Sequence, residues 1–116
     1  MYDSTIAYMV KALPNAIDDA DRARREFLLA QLYELAHHQD TASYYYNKAI
    51  KLTTDPLMDI YANLNKAKML KSTDPAEIDK SIATLIHMAR KDKFEPYRDI
   101  IYFSAAELAL KKPDTS

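Results

Sequence analysis

Not one glycine occurs in the 116 residues of this chain. Tight hairpins and bulged strands use glycine for backbone angles that other residues reach only at a cost. Helices joined by short connections can do without it. No segment alternates apolar and polar residues at the strand period. Hydrophobic residues make up 48 % of the chain, enough for a core. The expectation is an all-α fold: one domain of about six helices, stacked as an α-solenoid of antiparallel pairs.

Proline and aspartate mark where the helices begin and end. Tyr2 to Leu13 carries Ile6, Met9, Val10 and Leu13 at helical spacing, and Pro14-Asn15 stops it. The next helix is expected from Ile17 to Ala36. Asp18, Asp19 and Asp21 crowd its first turn, where carboxylates suit the positive end of the helix dipole. Asp18 with Arg22, and Asp21 with Arg25, stand at ion-pair spacing. From Phe27 to Ala36 this helix is apolar almost all round, as expected of one covered on more than one side. His37-His38-Gln39 makes a turn, and Asp40 to Leu52 follows as a helix. Asp55-Pro56 and Asp74-Pro75 give one start signal twice: an N-cap aspartate, then a proline suited to the first helical position. Glu77 adds a capping-box partner for Asp74. The helices they open run to about Lys71, with Leu57, Ile60, Leu64 and Ala67, and to about Lys91, with Ile78, Ile82, Leu85 and Ala89. A polar link, Asp92 to Glu95, leads through Pro96 to a last helix with Tyr97, Ile101, Ala105 and Leu108. Pro113-Asp114 reads as a turn into a further helix.

The stretch from Leu29 to Ile50 sets the register. Leu29, Ala30 and Tyr33 in one helix, then Ala42, Tyr46 and Ala49 in the next, follow the order of the tetratricopeptide (TPR) signature. Thr5, Met9 and Ala12 repeat the second half of that pattern. Ala30, Ala67 and Ala106 are candidate small residues for close helix contact, spaced somewhat wider than the roughly 34 residues of the standard repeat. The resulting division is a half repeat at 1–14, repeats at 16–54 and 55–92, and a half repeat at 95–112, a piece of a larger repeat protein.

The text RREFLLAQLYELAHHQDTASYYYNKAIKL, then DPLMDIYANLNKAKML and FEPYRDIIYFSAAELALKKPD, resembles the TPR region of PorW/SprE-type proteins. These are outer-membrane lipoproteins of bacterial gliding motility and type IX secretion. Asp99-Ile100-Ile101-Tyr102-Phe103 stands where the family has an Asp-Gln-Ile-Tyr-Tyr opening, with Ile100 in place of Gln. The aromatic usual near the start of the repeat is Glu26 here, with Phe27 adjacent, and the two signature glycines are Ala30 and His37. A histidine at that turn either has no need of a left-handed conformation or holds one under strain. Where chaperone-type TPR proteins grip a terminal carboxylate, this chain has Phe27 and Gln31, which argues against that recognition. The resemblance implies a non-catalytic scaffold or adaptor that binds proteins, such as components of a secretion machinery. Its expected place is the periplasmic face of the outer membrane, within a larger lipoprotein. The other reading is a general TPR peptide-binding module in the cytoplasm.

Sixteen Lys and Arg oppose 17 Asp and Glu, for a net charge of −1. The signs are interspersed, with no dense basic stripe to hold nucleic acid. Cysteine is absent, which excludes disulfides, thiol catalysis and thiolate zinc sites. No apolar run reaches the length of a membrane span, so no direct membrane insertion is expected. Tyr2-Asp3-Ser4 lacks the basic and apolar regions of a signal peptide, so any targeting or lipidated segment is expected upstream of this chain. No catalytic triad, phosphate loop or paired-carboxylate site can be assembled, and no enzyme activity or cofactor is expected. His37 and His38 are adjacent and point in different directions, without supporting ligands at metal spacing. They read as exposed turn residues, and His87 as a boundary residue between Ile86 and Met88.

The candidate protein-binding residues are Arg24, Gln31, Glu34, Asn63, Lys66 and Arg98, at polar positions of the helices that line the groove of a TPR stack. Tyr44 and Tyr45 join them. Tyr46 and Tyr33 are expected to fill the space between helices, which leaves one neighbouring tyrosine free as an interface anchor. The charge run from Asp18 to Arg25 is expected to be a solvated helix face. The outer faces of the Tyr2–Leu13 and Tyr97–Lys111 helices are expected to show apolar surface and to support weak end-to-end self-association. Light scattering should then give an apparent mass that rises with concentration, and a strict monomer at high concentration would count against it.

Overall fold

The computed structural model describes residues 2–71 and 74–112, and these are helical throughout apart from short connections. Six α-helices follow in order: α1 (Tyr2–Ala12), α2 (Asp19–Leu35), α3 (Gln39–Leu52), α4 (Pro56–Lys68), α5 (Pro75–Ala89) and α6 (Arg98–Ala109). Two 3-10 turns, Leu13–Asn15 and Asp92–Tyr97, precede α2 and α6. Neighbouring helices pack in pairs, α1 on α2, α2 on α3 and α5 on α6. The chain forms two compact units, Met1–Ala62 and Asn63–Ser116, and the division falls inside α4. The turn expected at Pro113-Asp114 lies outside the described residues.

In the first unit α2 and α3 form an antiparallel hairpin. Phe27 meets Tyr46 edge to face at 5.6 Å, Lys48 acts electrostatically on Glu26, and Arg22 and Leu52 share one cleft. The partner moves along α3 as its mate moves back along α2, as antiparallel packing requires. Leu29, Ala30, Ala42, Tyr46 and Ala49 are fully buried at this seam. Alanine at three of the five positions lets the helix axes come close.

Asp18 is the N-cap of α2, and its Oδ1 accepts from the Asp21 N–H at 2.8 Å. Asp21 reaches back to accept from the Ile17 N–H at 3.0 Å. This is close to a reciprocal capping box. Asp18 was expected to pair with Arg22. Its short side chain caps its own helix instead, while Arg22 lies near Glu26. The pair Asp21–Arg25 does form, at 3.2 Å, and Arg25 also donates to the Ala12 carbonyl at 2.7 Å, tying α2 to the end of α1. The run from Asp18 to Arg25 is thus only in part a solvated face, because Asp21 and Ala23 are buried.

The register expected for α1 is rotated. Ile6 is its buried residue, with Leu13 buried in the 3-10 turn that follows, whereas Thr5 is exposed and Met9 and Ala12 are half-buried. α3 packs on the helix before it and α1 on the helix after it, so the two do not bury equivalent faces. Tyr8 and Val10 are exposed on α1.

In the second unit Ile78, Leu85 and Ala89 of α5 and Ile101, Ala105 and Leu108 of α6 are buried. Ala105 is buried, as its place in the expected stripe requires, whereas Ala106, the candidate for close helix contact, is exposed. The link after α5 is a 3-10 turn rather than a plain polar loop, because its one apolar side chain, Phe94, is buried. Asp74 makes no side-chain cap bond to α5, and Glu77 lies 3.7 Å from Lys80, so the expected capping box does not close there. Asp55 does cap, accepting from the Leu57 N–H at 3.0 Å. Tyr102, Phe103 and Leu110 are exposed on α6.

The turn between α2 and α3 answers the question posed by His37. Its φ is 64°, in the left-handed region. The His38 N–H reaches the Tyr33 carbonyl and the His37 N–H the Glu34 carbonyl, the two bonds of a Schellman motif. A left-handed conformation costs a non-glycine residue about 1–2 kcal/mol, and glycine loses about 0.5–1 kcal/mol in chain entropy. His37→Gly should therefore raise stability by up to about 1 kcal/mol, and His37→Val should lower it by a similar amount. Urea denaturation of the two variants checks this, and equal stability would remove the strain argument.

Candidate protein-binding surface

Four tyrosines, a histidine and the half-buried Glu34 carboxyl group organise the outer part of the α2–α3 hairpin. Tyr46 is fully buried, and its hydroxyl donates to Glu34 Oε1 at 2.7 Å. That bond is what permits a phenol in the interior. Tyr45 stacks on Tyr33 with ring centroids 5.6 Å apart and planes only 5° from parallel. His38 meets the edge of Tyr33 at 6.1 Å, and Tyr44 meets Tyr45 in a T-shape at 5.1 Å. Lys48 Nζ lies 5.2 Å over the Tyr44 ring. Tyr33 and Tyr45 are half-buried, whereas Tyr44 is 54 % exposed. Burial, with the neighbouring Tyr33 and Tyr44 hydroxyls, pushes the Tyr45 pKa up. Tyr45 therefore serves as a neutral packed ring, and Tyr44 is the tyrosine held outward.

The other sequence-derived candidates fall in both units. Arg24 is exposed and pairs with Asp21, Gln31 is half-buried, and Glu34 accepts the Tyr46 hydroxyl. In the second unit the Asn63 amide lies 3.7 Å from Met88 Sδ, and Arg98 Nε donates to the Ala89 carbonyl at 2.7 Å. Lys66 is half-buried, and burial pulls its pKa down. Glu34 and Arg98 thus have structural duties within their own units. Arg24, Gln31, Glu34, Tyr44 and Tyr45 share one unit, and Tyr44 and Tyr45 are in direct contact. Asn63, Lys66 and Arg98 belong to the other.

The sequence reading missed a second cluster. Arg22, Glu26, Lys48, Lys51 and Leu52 line a cleft of about 270 Å³ at the start of α2 and the end of α3. Glu26 is only 1 % exposed, Arg22 Nε stands 3.8 Å from its Oε1, and that oxygen has no hydrogen-bond partner. Desolvation pushes the Glu26 pKa up against the opposing pull of Arg22 and Lys48. Asp21 behaves oppositely. The Ile17 N–H, and then Arg25 and Arg24, hold its carboxyl below the usual range. A signal for the cleft was present in the sequence: Glu26 is an acid directly before the apolar run that begins at Phe27.

His37, His38 and His87 are all exposed, and the first two flank the turn. Among the described residues no three His, Cys, Asp or Glu side chains gather as metal ligands, and no helix is long and apolar enough to cross a membrane. Comparison with protein-family models, with curated proteins and with solved structures gives no match.

The raised pKa of Glu26 fixes a pH dependence. A carboxyl whose folded pKa exceeds its unfolded value stabilises most below the unfolded value, and that contribution is lost as pH rises through the folded pKa. Glu26→Gln removes the buried ionisation. The variant should be more stable than the parent at neutral pH, and the gap should close as the pH falls toward about 4.5. Thermal melts across that range check the sign, and a gap that widens on acidification would refute the assignment.

Proposed function

We propose that this chain is a non-catalytic protein-binding scaffold built of TPR-like helix pairs, working within a cell-envelope secretion or gliding-motility assembly. What carries the binding part is the Tyr33–Tyr45–Tyr44 array. Tyr44 presents a large exposed ring whose position is set by Tyr45 behind it and Lys48 beside it. A tyrosine fixed in advance offers contact area with little entropy left to lose on binding. Helix pairs that cannot bury their outer faces alone also support the repeat reading. Exposed Phe103 and Tyr102 on α6 and Tyr8 on α1 are such faces. The envelope setting rests on the resemblance of the repeat text to PorW/SprE-type proteins. In that setting Arg24, Gln31 and Glu34, on the same unit as the aromatic anchor, would add polar specificity to it, and Asn63, Lys66 and Arg98 would be contacts of the second unit by itself.

Crosslinking capture with the full-length protein in its native envelope tests both parts. The parent should recover envelope or secretion components, and Tyr44→Ala should lose most of that recovery. Losing the Tyr45 and Lys48 contacts should cost about 1 kcal/mol of stability, so a variant that stays folded by circular dichroism yet loses capture would report binding. Glu34→Ala, which also frees the Tyr46 hydroxyl, should lower both capture and stability. Recovery of cytoplasmic partners alone would overturn the envelope setting, and capture unaffected by Tyr44→Ala would overturn the anchor.

A further inference from the structure

The cleft at Glu26 contains none of the residues proposed above for partner binding. Arg22 and Glu26 reach it from α2, and Lys48, Lys51 and Leu52 from α3. Three cationic side chains thus face one carboxyl group. The cleft has room for an anion of a few heavy atoms and several waters, each taking about 30 Å³. At 3.8 Å, Arg22 Nε is too far from Glu26 Oε1 for a hydrogen bond. Oε1 is therefore a buried polar atom without a hydrogen-bond partner, on a residue that lines a cationic cleft. Packing alone gives no reason for this. An aromatic or aliphatic side chain at position 26 would fill the hollow without the desolvation cost of an acid.

We propose that this cleft binds an oxyanion, a carboxylate or phosphate group. Arg22, Lys48 and Lys51 hold its charge, and the protonated Glu26 carboxyl donates a hydrogen bond to it.

The protonation state follows from the charges. Ionised Glu26 repels an incoming anion, whereas a neutral carboxyl can donate its O–H to one. Arg22 and Lys48 favour the ionised form, and burial favours the neutral form. An anion seated on those cations offsets their pull, so anion binding and protonation of Glu26 assist each other. The groups facing Glu26 are Arg22 on its own helix and Lys48 and Lys51 on α3, with Tyr45, whose raised pKa keeps it neutral. Among the described residues no charge on α1 acts on it. Lys48 also lies over the Tyr44 ring, which holds its ammonium near the rim of the cleft. The proposal stands without the scaffold reading, because it concerns a small anion and one helix hairpin.

Sulfate is the first probe, since its charge does not change over the pH range needed. Amide NMR titrations of the whole chain with sulfate should run at constant ionic strength, at about pH 5 and about pH 7.5. Saturable shifts are expected around residues 22–26 and 48–52, with affinity at least about ten-fold tighter at the lower pH. Arg22→Gln with Lys48→Gln should weaken binding by about ten-fold or more, while circular dichroism stays that of the parent. Glu26→Gln, whose amide can donate at any pH, should still bind but lose the pH dependence. A second titration with the peptide acetyl-Gly-Glu-Gly-amide at neutral pH separates the sources. Competition between peptide and sulfate assigns the site to carboxylates as well, and sulfate binding alone assigns it to phosphate-like anions. Shifts spread over all lysines without saturation would overturn the proposal. So would sulfate binding unaffected by the Arg22 and Lys48 changes, or a pH dependence that survives Glu26→Gln.

Discussion

Three alanines decide how close α2 and α3 can come. Ala30 of α2 and Ala42 and Ala49 of α3 are all fully buried, on two helices that pack on each other. Larger side chains there would hold the helices apart and leave the Tyr46 ring without a pocket. With the helices close, Tyr46 lies against Phe27 and its hydroxyl finds Glu34. The rest of the hairpin's outer face follows from that seating. Tyr45, one position back, is turned onto Tyr33, and Tyr44 is turned outward against Tyr45. Within the next two turns of α3, the same separation leaves the hollow that Arg22 and Glu26 share with Lys48, Lys51 and Leu52. The aromatic array and the cationic cleft are therefore two consequences of one packing seam.

The helices and most of their buried stripes could be read from the sequence because a 3.6-residue period repeats over three or four turns and averages out local exceptions. Ile78, Leu85 and Ala89 of α5 are a case where stripe and interior agree. Features that turn on a single residue were less legible. Asp55 and Asp74 precede prolines in the same way, yet only Asp55 bonds its helix. At Asp74 the backbone stands at ψ 60°, away from the extended geometry that aims a cap side chain at the first turn. Asp18 offered two partners at suitable spacing, and the nearer backbone N–H won over a long, mobile arginine. On the last helix the stripe residue Ala105 is buried and its neighbour Ala106, about 100° further around, is exposed, so the apolar period placed the alanine that the repeat spacing missed.

The cleft was hidden for a related reason. A charge run on an amphipathic helix normally marks its solvated face, and Arg22 to Glu26 looks like such a run. Yet α2 is packed by α1 and by α3, so little of its circumference is free, and Asp21, Ala23 and Glu26 all turn inward. Asp21 is compensated by the Ile17 N–H and two arginines. Glu26 is not compensated to the same degree. Two acids on one helix thus have opposite pKa shifts: desolvation prevails at Glu26, whereas at Asp21 the Ile17 N–H and the two arginines outweigh it. Sequence spacing shows the acids but not those donors.

A chain without glycine must also find other ways to end its helices, since the last carbonyls need partners and the usual left-handed cap residue is missing. One solution is strain: His37 takes the left-handed angle itself. The others use cations. Arg25 donates to the Ala12 carbonyl at the end of α1, Arg98 to Ala89 at the end of α5, and Lys111 to Lys68 at the end of α4. Arg25 and Arg98 sit on a different helix from the carbonyl they meet, and Lys111 lies just past the end of α6, so the same bond that satisfies a helix end also ties two elements together. It places positive charge at the negative pole of the dipole as well. A glycine cap would have satisfied the carbonyls locally and left the helices to be joined by apolar contact alone. The even balance of 16 basic and 17 acidic residues therefore does not describe a uniformly solvated surface. Some of the cations are structural, which sets apart those of the cleft, Arg22, Lys48 and Lys51, because they converge on a space rather than on a helix end.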